Sequence, residues 1–193
     1  MDLPITPILC QEISPFVGLT LTPELAAKLV ARVTTRCYPG PVDTSHIAPK
    51  TVGSYTLRCV RGADIIDQLR PIHLEHWQET ETYRHGVEFK PDYQRGIDLE
   101  EQGRYVLVAA FETDTGELVG NYGIYLARSM HTQKRMATED TLFVSKAHRR
   151  GRLGIALMRY TEHVLMQLDV EEFNVSVKAV NNVGPMLERM GFS

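Results

Sequence analysis

The chain has 193 residues, is 43% hydrophobic and 23% charged, and carries a formal charge of -3. That suits one hydrophobic core rather than two full domains, and it excludes a disordered or uniformly basic chain. Cys10, Cys37 and Cys59 are too widely spaced for a disulfide framework or a paired metal signature, no run of about 18 apolar residues occurs, and the opening residues lack a basic leader region, so a reducing, cytoplasmic setting is expected.

Residues 1–20 read as irregular, because Pro4, Pro7 and Pro15 oppose a long helix, and ITPIL fits a short strand or an arm. Thr22, Pro23 and Glu24 make a helix start, with Thr22 as cap. Leu25, Leu29 and Val33 form the apolar stripe of that helix, which should end before Cys37 and the prolines Pro39 and Pro41. Residues 39–50 read as a linker, so residues 1–50 form an accessory segment and residues 51–193 the main unit. Residues 51–60 predict one strand, with Thr51, Tyr55, Leu57 and Cys59 on one face. Residues 64–76 predict a helix that Pro71 kinks or stops.

Residues 75–89 are acidic, aromatic and histidine-bearing, and read as a wall around a site. Glu75, Glu79, Glu81 and Glu88 would favour a cationic ligand if they face a cleft. His73 and His76 share a helical face, but no third ligand accompanies them, so no metal is expected. Trp77, Tyr83 and Phe89 suit either a pocket lining or ordinary packing. A short helix is expected over 91–102, ending near Gly103. Arg104–Glu112 and Glu117–Arg128 then form an antiparallel hairpin across the turn at 113–116.

The most informative stretch follows. Thr141, Leu142, Phe143 and Val144 suit a strand. His148, Arg149, Arg150 and Arg152 crowd a loop that holds Gly151 and Gly154. From Leu153, apolar residues recur at Leu157, Tyr160, Val164, Leu165 and Leu168 with helical spacing. A strand feeding a basic, glycine-bearing helix start is an anion cradle, because the first N–H groups of a helix lack intrahelical partners. A further strand near 173–180 would run parallel to the first, and a short helix closes at Gly191.

Arg149-Arg150-Gly151-Arg152-Leu153-Gly154 resembles the Q/R-x-x-G-x-G/A segment of the GNAT N-acetyltransferase superfamily. Arg152 stands where the middle glycine is usual. The order of elements over about residues 55–192 and the ending Leu187-Glu188-Arg189-Met190-Gly191-Phe192 are also similar to the family, and the wider likeness is to members encoded by bacteriophages. The resemblance implies an α/β fold, a GNAT-like mixed, mostly antiparallel central sheet flanked by helices. It implies acetyl-CoA as co-substrate, with no metal. The pyrophosphate would lie over Arg149, Arg150, Gly151, Arg152, Leu153, Gly154 and Ile155. The pantetheine arm would take main-chain groups of Phe143 and Val144 in a splay between the strands near 137–145 and 173–180, with Asn181 on its other side.

The implied reaction is acetyl transfer to an amine, on a small molecule or a protein, by direct attack. An alkyl amine with a pKa near ~10.4 must first lose a proton, which a base assists. The resemblance makes Glu139 that base, with Asp140 next and facing oppositely by strand alternation. Leu187 occupies the place where the family often has a tyrosine acid; Tyr122, Tyr125 and Tyr160 are the available substitutes. The resemblance implies two further strands after the closing helix; they are expected to be cut off, dispensable here, or replaced by residues 1–20 or by another subunit, as in a homodimer exchanging edges. Alternatives are a non-catalytic acyl-CoA-binding or protein-interaction module of this fold, and a nucleic-acid binder, which the isolated basic patch supports poorly.

Overall fold

The computed structural model describes residues 5–37, 40–80, 88–149, 151–176 and 184–192. Its helices are α1 (Ile5–Ile13), α2 (Pro23–Cys37), α3 (Gly62–Thr80), α4 (Tyr93–Glu101), α5 (Leu153–Gln167) and α6 (Gly184–Met190). The strands are β1 (Lys50–Val52), β2 (Tyr55–Val60), β3 (Tyr105–Glu112), β4 (Leu118–Arg128), β5 (Arg135–Val144) and β6 (Glu172–Asn174). They form one sheet in the order β1-β2-β3-β4-β5-β6, antiparallel throughout except for the parallel β5–β6 pair. The expected mixed, mostly antiparallel sheet flanked by helices is therefore present.

Alternation along the central strands gives each face of the sheet its own core. Leu57, Val108, Tyr122 and Ile124 meet Leu157, Met158 and Val164 of α5. Leu107, Ala109, Phe111 and Phe143 meet Ile65, Leu69 and Ile72 of α3. Apolar burial on both faces is the main force closing such a sheet. Ile47 of the segment before β1 joins the α5 core, and Tyr160 donates a hydrogen bond to the Ala48 carbonyl at 3.0 Å.

The structure corrects several boundaries. Residues 5–13 are helical despite Pro7, whose missing N–H falls in the first turn, where helix N–H groups have no partner anyway. Residues 51–60 are a hairpin rather than one strand, because Gly53 adopts φ 58° and reverses the chain, leaving Thr51 exposed. α3 runs through Pro71 to Thr80, and its non-helical point is Ile65. Thr22 caps α2 as expected, its hydroxyl accepting from the Leu25 N–H at 3.2 Å. Asp92 caps α4 through the Arg95 N–H at 3.0 Å.

Candidate active site

β5 positions the site. One edge pairs with β4 along most of its length. The other pairs with β6 only at Met136, Ala137 and Thr138. From Glu139 to Val144 that second edge has no strand partner among the described residues; residues 177–180, the far side of the expected splay, lie outside them. The Ser145 N–H bonds back to Val119 of β4 at 2.8 Å. Strand alternation then turns the Phe143 amide toward β4 and the Leu142 and Val144 amides toward the open edge. Leu142, rather than Phe143, thus joins Val144 as an edge donor. Gly120 is required here, since a Cβ on it would lie 2.8 Å from the Phe143 carbonyl oxygen.

A bulge breaks the register at the same place. Gly123 faces Thr141 and Ile124 faces Glu139, leaving Asp140 as the extra residue. Glu139 turns to the α5 side, where the fully buried Tyr122 donates to its Oε2 at 3.5 Å. Asp140 turns to the α3 side, where the Tyr105 hydroxyl donates to it at 2.7 Å. Burial, with the adjoining Asp140 charge, pushes the Glu139 carboxyl up to about 7 against the opposing Tyr122 bond. Tyr122 is itself pushed far up, by burial first and then by Glu139. Leu187 is buried in the α5 core, so that position supplies no acid. Tyr160 is tied to Ala48, which leaves Tyr122 as the hydroxyl beside Glu139.

The loop between β5 and α5 is pinned to α3 by two carboxylates. Glu75 accepts from the Ser145 hydroxyl at 2.6 Å and from the Lys146 N–H at 3.0 Å. Glu79 accepts both terminal nitrogens of Arg149, the second at 2.7 Å. Arg149 also donates from Nε to the Val144 carbonyl at 2.7 Å and lies over the Phe143 ring at 4.9 Å. These hydrogen bonds, and then the opposite charges, lower the Glu79 pKa and raise that of Arg149. The acidic wall is therefore spent largely on holding the loop, and Glu88 pairs with Lys90 at 3.0 Å. The Arg149 side chain is an anchor of the loop rather than a free cation at its mouth.

The turn into α5 fits an anion. Gly151 sits at φ 121°, a conformation costly for other residues. Arg152, at φ -111°, does not need the glycine usual at its position, and its side chain is exposed. The first hydrogen bond of α5 runs from Ala156 to the Arg152 carbonyl at 2.8 Å, so the N–H groups of Leu153, Gly154 and Ile155 precede the ladder. A Cβ on Gly154 would meet nothing within 4 Å. Leu153 is buried and Ile155 exposed. Arg150, Asn181, Glu81, Tyr83 and His85 lie outside the described residues.

His73 and His76 part company: His76 Nδ1 lies 3.0 Å from the Thr141 hydroxyl, whereas His73 stacks on Tyr93 at 5.7 Å. Among the described residues no three His, Cys, Asp or Glu side chains are grouped to hold a metal, and no helix is long and apolar enough to cross a membrane. His148 is half-buried, with Nδ1 3.2 Å from the Tyr55 hydroxyl. Trp77 and Phe89 pack together at 5.9 Å. The residues missed in the sequence are Tyr105 and the glycines opposite β5. Gly120 and Gly123 were the available signal, since glycine inside a strand marks a bulge or a close approach.

Residues 64–192 match the family model described as acetyltransferase (GNAT) family. No curated protein matches the chain. Among solved structures, the chain is similar to an aminoglycoside acetyltransferase from an uncultured soil metagenomic sample, with TM-score 0.60 and 15% identity over 75% of this chain and 91% of that one. It is similar to a ribosomal-protein-alanine N-acetyltransferase from Brucella melitensis biovar Abortus 2308, with TM-score 0.53 and 17% identity over 71% and 91%. A possible acetyltransferase from Clostridium difficile 630 gives TM-score 0.60 and 15% identity over 72% and 90%. At these identities the likeness to the solved structures is one of fold.

Proposed function

Because the chain belongs to the acetyltransferase (GNAT) family, we propose that it transfers an acetyl group from acetyl-CoA to a primary amine, with residues 51–193 as the transferring unit and residues 1–50 as an accessory segment. One observation carries the reading. Among the described residues, the edge of β5 without a strand partner runs from an ionisable carboxyl of raised pKa, Glu139, to N–H groups at the start of α5 that precede its hydrogen-bond ladder. Acetyl-CoA supplies the acyl group as a thioester, already activated toward amines.

The start of α5, at Gly151, Leu153, Gly154 and Ile155, would receive the pyrophosphate, with the exposed Arg152 adding attraction. Arg150 belongs to the same turn and would share that role, and Asn181 would flank the arm. The Val144 amide would bind the pantetheine arm as a strand would. Arg149 would hold the turn in shape through Glu79. Glu139, with a pKa near the middle of the neutral range, is suited to accept the amine's proton directly or through one water. The amine then forms a C–N bond to the carbonyl carbon, the C–S bond breaks, and the sulfur leaves as a thiolate that takes up a proton. The other outward N–H, that of Leu142, lies nearer Glu139 and would hold the developing oxyanion.

The named neighbours act on amines of small molecules and of proteins, and both remain acceptor classes for this chain. The apolar Leu187 favours one competing reading, a non-catalytic acyl-CoA-binding module. Free-thiol release from acetyl-CoA, measured with a panel of amines, separates the two. The enzyme releases thiol in an amine-dependent way and loses this with Glu139→Gln. The module binds coenzyme A and releases none.

A further inference from the structure

On the side of the sheet opposite Glu139, α3, α4, β3 and β4 line an open cavity of about 200 Å³ that reaches the β5 bulge, where Asp140 is exposed. Asp140 lies in its wall, one residue beyond Glu139 and two beyond the last β5–β6 pair. Asp140 has no ion-pair partner among the described residues; the Tyr105 hydroxyl donates to it at 2.7 Å, and Tyr125 hydrogen-bonds to it as well. Tyr105 packs edge to face on Tyr125 at 5.2 Å, and both line the cavity. Farther along the wall, His73 Nε2 and the Tyr93 hydroxyl are buried without a hydrogen-bond partner. Buried polar groups are normally satisfied, so two orphans side by side in one cavity point to a group that completes them.

The remaining charges around the cavity are committed or cationic. Glu100 accepts the Gly62 N–H and pairs with Arg61, and Asp92 caps α4. Arg95 lines the cavity, and Arg70 lies over the outer Tyr93 ring at 4.9 Å. Among the described residues, Asp140 is thus the one anion facing this space without an ion pair or a helix cap to hold, and Arg95 and Arg70 stand on its rim. We propose that this cavity holds the acyl acceptor, and that the acceptor is a compact monoamine with an aromatic or apolar body. Its ammonium docks on Asp140 beside Tyr105 and Tyr125, and a hydroxyl on its far end meets His73 and Tyr93. A space slightly larger than the roughly 150 Å³ that takes a benzene ring holds about ten non-hydrogen atoms. A polycationic aminoglycoside would bring its further charges against Arg95 and Arg70. Asp140 is a docking residue; the amine gives up its proton to Glu139, directly or through one water, only once it turns from Asp140 to the open edge of β5. The inference rests on the acetyl-transfer reading.

The test uses the full chain with tyramine, 2-phenylethylamine, spermidine and kanamycin as acceptors, alongside a separate measurement of coenzyme A affinity. Tyramine is expected to have the highest kcat/KM. Asp140→Asn should raise the KM for tyramine about 10- to 100-fold, the range of a charge-assisted bond, with a smaller change in kcat and none in coenzyme A affinity. Tyr93→Phe should erase the preference for tyramine over 2-phenylethylamine without lowering the melting temperature, because it removes an unsatisfied hydroxyl. If coenzyme A binds but kanamycin or spermidine outcompetes both arylamines, or if Asp140→Asn leaves KM unchanged, the inference is overturned and acetyl transfer stands. If coenzyme A fails to bind while tyramine binds in an Asp140-dependent way, acetyl transfer falls and the cavity assignment survives. Should Asp140→Asn fail to fold, the wild-type acceptor ranking and the Tyr93→Phe preference decide.

Discussion

Glu139 links stability and chemistry in a way that one substitution separates. Its carboxyl rises from an ordinary 4.5 to about 7, chiefly through burial. The folded chain therefore holds this proton more tightly than the unfolded chain does. That contribution to stability is fully present below about 4.5 and is lost as pH rises through about 7. At full strength the difference is about 3 kcal/mol, but the carboxyl is partly solvated, so about 1–2 kcal/mol is expected to remain. Gln is neutral at every pH and escapes this loss. Denaturant melts of Glu139→Gln and the parent should nearly coincide at pH 4.5, and the variant should be more stable by about 1–2 kcal/mol at pH 8. In turnover assays the parent's rate should climb between pH 6 and 8, as the ionised fraction goes from about one tenth to about nine tenths. The variant should lose that limb and fall by about 10²- to 10⁴-fold, keeping only the limb from the amine's own ionisation. A variant less stable than the parent at pH 8, or one with the parent's pH–rate profile, would refute the reasoning.

Three further outcomes follow from the same geometry. Gly154→Leu places a side chain where the protein itself has nothing, so its melting temperature should hold to within a few degrees while coenzyme A affinity, read by calorimetry, falls at least about tenfold; unchanged affinity would remove the phosphate from the α5 start. Gly120→Ala drives a methyl toward the Phe143 carbonyl and should cost about 1–3 kcal/mol in a denaturation midpoint. A double-mutant cycle on Arg149 and Glu79, which form an exposed pair, should return a coupling of no more than about 1 kcal/mol, while Arg149→Ala alone costs more, because the Val144 carbonyl and the Phe143 ring lose their partner as well.

The elements legible in the sequence were those whose local signal agrees with their environment. The hairpin of β3 and β4 alternates strongly and turns on Gly116 at φ 71°, and α5 carries an apolar face at helical spacing and buries it. The elements misjudged were those where tertiary burial overrides a local breaker. Pro71 looked like a stop, yet Ile65, Leu69 and Ile72 bury on the sheet on either side of it and carry α3 through. The expected strand near 173–180 ends at Asn174, with residues 175 and 176 outside the sheet, and residues 177–183 lie outside the described ones. At the site, the opposed directions of Glu139 and Asp140 followed from alternation, but the bulge that puts Asp140 and Thr141 together on the α3 side did not. Register is a property of two strands, and one strand's sequence does not carry it. The acidic residues of α3 looked like a substrate wall because charge alone does not show what it pairs with; Glu75 and Glu79 face the loop.

The central claim, an acyl-CoA held along the open edge of β5 with its phosphates on the start of α5, is tested most directly by backbone amide shifts during a coenzyme A titration. The account predicts saturable shifts concentrated at residues 139–144 and 151–155, with β3 and α4 little moved. Saturating coenzyme A that leaves those amides in place, or that moves a different surface instead, would contradict it.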